Sequence, residues 1–374
     1  MAGALEVAIA AGGTAGHINP ALALAEELTA RGHHVTFYGQ RRRLEGTLVP
    51  EAGYDFSEIE VTGIDRERPW TAISALWRMK KASGDLNRRF KRVGAPQVAV
   101  GFGAYVEMPL LRWCAAHKVP YVIHEQNSVP GLANKTCAKN AASVCVSFPG
   151  AKGAFEGKVS DATKLEVTGN PVRQSVISAS REAGRRAFGV SDDETMLLVF
   201  GGSLGARHLN EALVGLSAEL MARPKLRVIH STGKELYDEV QASLEPSEDL
   251  EQRWQVRPYI DNMGEALAAA DLVVSRAGAS SIAEIAALAV PSVLVPYPLA
   301  TADHQTTNAH LLVDCGAARL VPDDQLDTPA FSEALLSLVD KSEERETMRQ
   351  HARELAPDRA AAALANAVEA AARG

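Results

Sequence analysis

Asp271-Leu272-Val273-Val274-Ser275-Arg276-Ala277-Gly278-Ala279-Ser280-Ser281-Ile282-Ala283-Glu284 is the stretch that decides the fold of this chain. An apolar run enters a small-residue turn, and the turn enters the helix-like Ile285-Ala286-Ala287-Leu288-Ala289. That order reads as strand, tight turn, helix start. Amides at a helix N-terminus carry partial positive charge and suit a phosphate. Glycine and alanine let a ligand approach the backbone, and Ser280 or Ser281 can cap the helix. Glu284, one turn in, is placed to accept hydrogen bonds from a ribose; the plainer alternative is an ordinary turn with a surface Glu. A buried strand follows at Pro291-Ser292-Val293-Leu294-Val295-Pro296. The polar cluster Asp303-His304-Gln305-Thr306-Thr307-Asn308 comes next, where a sugar or base can be held.

The same strand–turn–helix unit recurs on either side. Leu5 to Ala11 reads as a first strand running into Gly12-Gly13-Thr14-Ala15-Gly16-His17. Asn19-Pro20 then suggests a helix start, with Asn as cap and Pro in the first turn. Strands are expected at Val35–Tyr38, Val98–Val100, Tyr121–Ile123, Val144–Val146 and Leu165–Val167. The pattern restarts at Met196–Phe200, followed by Gly201-Gly202-Ser203-Leu204-Gly205 and a helix over Leu209–Leu220. Further strands are expected at Arg227–His230, Gln255–Val256, Leu272–Val274, Val293–Val295 and Arg319–Val321. Such alternation means an α/β chain with parallel, doubly wound sheets, and the restart means two Rossmann-like domains facing one another. The turn Gly169-Asn170-Pro171 sets the boundary, giving domains 1–169 and 170–356. A final Ala-rich helix over 357–374 follows Pro357-Asp358, and its own pattern does not say on which domain it packs.

The bulk composition narrows the function. A chain of 374 residues suits two domains, and 46% hydrophobic residues suffice for their cores. A net charge of −7 argues against a nucleic-acid binder. Cys114, Cys137, Cys145 and Cys315 are scattered, which fits a reduced cytoplasmic protein better than disulfides or zinc. No secretory signal pattern and no bilayer-spanning run is expected, so any membrane contact is peripheral.

The Gly-rich loops do not match a dinucleotide fingerprint, because Thr14 stands where the second glycine belongs. The second strand ends Tyr38-Gly39-Gln40, without an acid for a ribose; Arg41-Arg42-Arg43 leaves an NADP oxidoreductase open through its 2′-phosphate. Neither loop has the Lys-Ser/Thr ending of a P-loop. Two helix N-termini suit a sugar nucleotide, whose diphosphate becomes the leaving group. The chain has no Asp-x-Asp triplet, so metal-independent transfer with no metal and no cofactor is the expectation. His17 ends the first loop at a helix N-terminus, where a neutral imidazole is favoured and can take a proton from a hydroxyl. It equally suits a histidine that only bonds the turn. His124-Glu125-Gln126-Asn127 directly follows a strand, at the edge where such sheets bind ligands; a solvated loop is the alternative. Gly101-Phe102-Gly103-Ala104-Tyr105 closes another strand, and Tyr105 can reach toward a ligand.

Residues 65–92 differ from the rest. Nine basic residues (Arg66, Arg68, Arg78, Lys80, Lys81, Arg88, Arg89, Lys91, Arg92) face three acidic ones (Asp65, Glu67, Asp85). Trp70, Ile73, Leu76 and Trp77 recur among them at helical spacing. The segment reads either as a contact for an anionic membrane surface or as a core helix with a solvated basic face.

Taken in order from residue 12 to 308, these motifs resemble the bacterial UDP-N-acetylglucosamine–N-acetylmuramyl-(pentapeptide) pyrophosphoryl-undecaprenol N-acetylglucosaminyltransferases. Gly169-Asn170-Pro171-Val172-Arg173, Gly201 through Arg207, Tyr259-Ile260-Asp261 and His304-Gln305 with Asn308 complete the set. The resemblance implies a GT-B fold with a cleft between its domains, an acceptor- and membrane-associating N-terminal domain to which the last helix returns, and a UDP-GlcNAc-binding C-terminal domain. It implies transfer of N-acetylglucosamine from UDP-GlcNAc to the C4 hydroxyl of lipid I, with inversion, giving lipid II for peptidoglycan. By position, Thr14, Ala15, Gly16 and Asn127 would contact the donor sugar or its phosphates, and Arg173 and Ser203 would hold the diphosphate. Ile260 would meet the uracil, and Ala279, Ser280, Ser281, Ile282, Ala283 and Glu284 the phosphate and ribose. Gln305 would hold sugar hydroxyls with Asn308 beside it, His17 would be the base with Glu125 second in line, and Tyr105 would lie toward the acceptor. Ala15 departs from the glycine usual in that loop, and its methyl restricts φ and crowds a ligand. The implied setting is the cytoplasmic face of the plasma membrane, with cell-wall synthesis and division proteins as partners. A diacylglycerol glycosyltransferase, a UDP-GlcNAc epimerase and a non-catalytic nucleotide-sugar-binding protein are the competing readings.

Overall fold

The structure, a computed structural model, describes residues 3–61, 71–202, 205–245, 247–355 and 359–374, with the backbone alone at 71–76 and 301. Ser203, Trp70 with residues 65–69, and Pro357-Asp358 lie outside the described residues. The chain forms two compact units, Met1–Arg173 with Asp358–Gly374, and Gln174–Pro357.

The first unit is built on β1 (Glu6–Ala10), β2 (His34–Gly39), β3 (Asp55–Glu58), β4 (Val98–Gly101), β5 (Tyr121–Glu125), β6 (Ser143–Val146) and β7 (Lys164–Val167). All seven pair in parallel, in the order β3-β2-β1-β4-β5-β6-β7. Every residue of β4, and Val7 to Ala10 of β1, is buried, as a sheet covered on both faces demands. β3 is the strand that the hydrophobic pattern misses. It lies at the sheet edge, exposes Asp55 and Glu58, and only half-buries Phe56.

The second unit carries β8 (Thr195–Phe200), β9 (Leu226–Ser231), β10 (Trp254–Arg257), β11 (Leu272–Ser275), β12 (Ser292–Leu294) and β13 (Ala318–Leu320). These run in parallel in the order β10-β9-β8-β11-β12-β13.

Two helix boundaries differ from the expectation. The first helix runs Ala15–Ala30 from an N-cap at Thr14, so Asn19-Pro20 lies inside it rather than at its start. Pro20 offers no N–H to the Gly16 carbonyl, a local loss outweighed by burial of Ile18, Leu22, Leu24 and Leu28, each worth about 1.5–3 kcal/mol. The helix expected over Leu209–Leu220 is two, Arg207–Gly215 and Ser217–Met221, broken where Gly215 has no side chain to stiffen it.

The helix Ala360–Ala372 belongs to the first unit. Its Leu364, Ala365 and Val368 are fully buried in one core with Ile9, Leu22, Leu28 and Val98. Close approach is made by Gly169, at φ +79°, where a Cβ would sit 3.2 Å from Ala360 Cβ.

Strand order fixes where ligands go. The first sheet is entered at β1, with β2 on one side and β4 on the other; in the second, β8 lies between β9 and β11. Connections leave such a central strand in opposite directions, opening a crevice beyond its C-terminal end. The loops after β1 and β4, and those after β8 and β11, line these crevices. Among the described residues, no helix is long and apolar enough to cross a membrane.

Candidate active site

In the first unit the turn after β1 is shaped by what lies beneath it. Gly13 has φ +87°, and a Cβ on Gly12 would fall 2.5 Å from Glu45 Oε1. Buried Glu45 accepts the Gly13 N–H (3.1 Å) and the Gln40 N–H (3.1 Å), fastening the turn to the end of β2. Thr14 is extended at the N-cap, and its carbonyl accepts the His17 and Ile18 amides. Its hydroxyl does not cap the helix; Thr14 Oγ1 instead bonds His17 Nδ1 at 3.0 Å. Ala15 is the first helical residue and is not among the positive-φ positions, so its methyl imposes no backbone strain. Gly16 follows it in the same turn, half-buried.

His17 is half-buried, and loss of hydration lowers its pKa from 6.5 to about 4, leaving a neutral imidazole. With Nδ1 tied to Thr14, Nε2 faces the loop after β4. A Cβ on Gly103, at φ +85°, would lie 3.4 Å from Nε2 and 3.2 Å from Cδ2. That loop is fastened from below by a second buried carboxyl, since Glu107 Oε2 accepts the Gly103 N–H at 2.6 Å. Burial raises Glu107 from 4.5 to about 8. Tyr105, beside Ala104 (φ 64°), is half-buried in the same loop.

A third buried carboxylate ends β5. Glu125 accepts the Asn127 N–H (3.0 Å), the Gly131 N–H (3.0 Å) and Asn134 Nδ2 (2.8 Å), with Asn127 Nδ2 at 3.4 Å. His124 and Gln126 are buried too, His124 Nε2 lying 3.0 Å from the Gly169 carbonyl oxygen. The polar quartet is therefore internal structure, with Asn127 alone half-buried. Arg173, past β7, pairs with Glu26 at 2.9 Å.

In the second unit the turn after β8 places Gly202 at φ +91° and Gly205 at φ +77°, where a Cβ would strike the Thr232 carbonyl oxygen at 2.1 Å. After β11, Gly278 is the N-cap of the helix Ala279–Ala287, with no side-chain cap; Ser280 and Ser281 lie inside the first turn instead of capping it. The first intrahelical bond is Ile282 N–H to the Gly278 carbonyl, 2.9 Å, so the amides of Ala279 to Ser281 precede the helical ladder. Ser280, Ser281 and Glu284 are half-buried on one face; Ala279, Ile282 and Ala283 are buried, Ile282 completely.

Gln305 and Asn308 support this turn from inside. Gln305 Oε1 accepts the Ala277 N–H (3.1 Å) and the Tyr297 N–H (3.0 Å), joining the loops after β11 and β12. Asn308 is fully buried and donates from Nδ2 to the Ala277 carbonyl at 3.3 Å. Ile260, after β10, is buried in the same core as Ala277. Sequence reasoning missed the polar frame around Arg276, whose guanidinium reaches the Val295 and Pro296 carbonyls and pairs with Asp323 at 2.5 Å. His208 bonds Asp323 (2.9 Å) and Asp327 (3.0 Å), and these bonds raise its pKa. It missed Glu45 and Glu107 as well; a carboxylate turned inward leaves no mark in a linear pattern.

The first unit thus offers a proton acceptor, and the second offers backbone amides and a polar helix face suited to an anion. Residues 7–146 match the glycosyltransferase family 28 N-terminal domain, and residues 196–365 match the glycosyltransferase family 28 C-terminal domain. A UDP-N-acetylglucosamine–N-acetylmuramyl-(pentapeptide) pyrophosphoryl-undecaprenol N-acetylglucosamine transferase of Halothermothrix orenii is 37% identical, over 99% of this chain and 100% of the relative. The protein of the same description from Salinibacter ruber is 39% identical, over 96% of this chain and 94% of the relative. The crystal structure of Acinetobacter baumannii MurG superposes with a TM-score of 0.74 at 28% identity, covering 98% of this chain and 99% of that one. Similarity of this extent, running the length of both units, places the chain in the family of UDP-N-acetylglucosamine–N-acetylmuramyl-(pentapeptide) pyrophosphoryl-undecaprenol N-acetylglucosamine transferases.

Proposed function

We propose that this protein transfers N-acetylglucosamine from UDP-GlcNAc to the C4 hydroxyl of the muramyl sugar in undecaprenyl-pyrophosphoryl-MurNAc-pentapeptide, lipid I, forming lipid II for peptidoglycan. The observation that carries the chemistry is the neutral His17 imidazole, held through Nδ1 by Thr14 with Nε2 turned toward Gly103. In the tautomer with Nδ1–H donating to Thr14 Oγ1, Nε2 presents a lone pair and takes the acceptor's C4 proton. The oxygen so activated attacks the anomeric carbon from the face opposite the diphosphate, which departs as UDP and leaves an inverted, β1→4 linkage.

The second unit holds the donor. Amides of Ala279, Ser280 and Ser281 meet the diphosphate, where its negative charge grows as the bond breaks. Glu284 takes the ribose hydroxyls from the same helix face. Ile260 and Ile282 contribute through main chain, since both side chains are core. Gln305 orients the loops around the sugar, and Asn308 supports Ala277 beneath them. Glu125 acts by shaping the loop that presents Asn127, because its oxygens already accept four donors. This favours His17 over Glu125 as the base. Thr14, Ala15, Gly16, Arg173 and Ser203 keep the donor-side roles that family position implies, and Arg173 would exchange Glu26 for phosphate.

The enzyme works from the cytoplasmic face of the membrane, bound peripherally. On the helix Thr71–Val93, Ala82, Leu86 and Phe90 are buried, whereas Trp77 is 66% exposed among Arg78, Lys80 and Lys81. That exposed indole beside cations suits an anionic interface. Proteins of wall synthesis and division are the partners expected there.

The test is transfer from radiolabelled UDP-GlcNAc to a short-chain lipid I analogue without added metal, beside His17→Ala. Disaccharide and stoichiometric UDP from the native protein, lost in a variant that still binds UDP-GlcNAc, is the expected result. Tight donor binding with no product would move the assignment to a different acceptor, such as a diacylglycerol.

A further inference from the structure

Arg41, Arg42 and Arg43 have no part in the chemistry above. They lie directly after β2 and border a cavity of about 760 Å³ in the first unit, whose wall also includes Gly13 and Tyr105. A dinucleotide 2′-phosphate does not explain them, because Glu45 already occupies the Gly13 amide that a pyrophosphate would need.

The charges on the cavity wall are unequal. Arg41 lies 3.8 Å from Glu58, and Lys81 lies 3.4 Å from Glu60. Arg42, Arg43 and Arg78 are exposed, with no carboxylate partner among the described residues. Among the described residues, three guanidinium groups are therefore in surplus. The wall also has an apolar part, made by Ile59, Val61, Trp77 and Val106.

Size and lining choose between the anions an acceptor of the kind proposed above carries. A cavity of this volume falls within the roughly 300–1,000 Å³ that encloses a drug-sized ligand. A diphosphate would fill a small part of it and leave the apolar wall unused. A short peptide matches the volume, can set side-chain carbon against Val61 and Val106, and ends in a carboxylate that a guanidinium fork binds through two parallel hydrogen bonds. Gly13 and Tyr105 on its wall belong to the two loops that flank His17, so a muramyl sugar at His17 would direct its peptide substituent into it.

Resting on the lipid I reading, we propose that this cavity receives the peptide stem of the acceptor, with Arg42 and Arg43 holding its terminal carboxylate. The test compares the native enzyme with an Arg42→Gln/Arg43→Gln variant on three short-chain acceptors: the free pentapeptide, its C-terminal amide, and a peptide-free muramyl diphospholipid. KM for the free pentapeptide acceptor should rise about 10-fold or more in the variant, the usual loss for charge-assisted bonds. Amidation should raise the native KM similarly, the deficit should vanish without the peptide, and KM for UDP-GlcNAc should not move. Equal losses on all three acceptors would overturn the proposal in favour of the diphosphate, and no loss on any would leave the cavity without this role. A native enzyme that glycosylates none of them, while binding UDP-GlcNAc, would refute the acceptor assignment itself and the proposal with it.

Discussion

A histidine of ordinary pKa is half protonated near pH 6.5 and then has no lone pair at one nitrogen to receive a proton. His17, lowered to about 4 by burial, stays neutral well below that point. The acid limb of kcat/KM should therefore lie nearer pH 4 than pH 6.5, measured with acceptor well below KM. His17→Ala should lower kcat by roughly 10²–10⁴-fold with donor binding retained. Folding stability carries the same sign: His17 and His124, both lowered to about 4, take protons first in the unfolded chain. Their contribution is intact above pH 6.5 and is lost as pH falls from there toward 4. Glu107 runs the other way. Its carboxyl, raised to about 8, holds a proton that the unfolded chain releases near 4.5, so its contribution falls as pH rises between those values. Glu107→Gln keeps an acceptor for the Gly103 amide and should keep activity while flattening that slope. Glu107→Ala frees the loop against which His17 rests and should cost up to about 100-fold in kcat, the scale of a 1 Å misplacement.

The turns that leave the central strands behave as units, and their glycines are not equivalent. At Gly13 a Cβ would meet nothing nearer than Ala104 Cβ at 3.8 Å, so Gly13→Ala carries a backbone cost alone, about 1 kcal/mol. At Gly205 positive φ combines with a 2.1 Å collision with the Thr232 carbonyl. Gly205→Ala should lower the melting temperature of the second unit and weaken UDP-GlcNAc binding, both well beyond the effect of Gly13→Ala on the first, as calorimetry and titration would show. These turns were legible in the sequence because an apolar run, two glycines and a helical run occur in order. β3 was not, because an edge strand with polar ends at Asp55 and Glu58 has no such run. The start of the first helix departs from the local sequence signal for a related reason. Asn19-Pro20 is a strong local signal, yet tertiary burial of Ile18 and Leu22 carries the helix back to Ala15. His17, Gly103 and Glu284 could be picked out by type and place, but the inward partners Glu45, Glu107, Arg276 and Asp323 required the third dimension.

Both units share the parallel plan that the alternation announced. Replacing Lys80, Lys91 and Arg92 by Gln removes three exposed charges from the helix Thr71–Val93. At about 1 kcal/mol each, partitioning onto anionic vesicles should drop by about two orders of magnitude. Sedimentation with vesicles would show this, with turnover of a short-chain acceptor in solution retained. The first unit is also closed by a distant piece of chain. Leu364→Ala, within the helix Ala360–Ala372, should cost about 2–5 kcal/mol in the stability of the first unit and leave the second unchanged. That closure sets an order of events during synthesis. The strands β1 to β7 leave the ribosome first, but the core around Ile9 and Leu28 stays open on one side until Leu364 and Val368 emerge. The second unit, contiguous from Gln174 to Pro357, has all its strands and helices by then. The unit whose strands are translated first is thus the unit completed last, and a stop codon that removes Leu364 and Val368 strikes the core around β1.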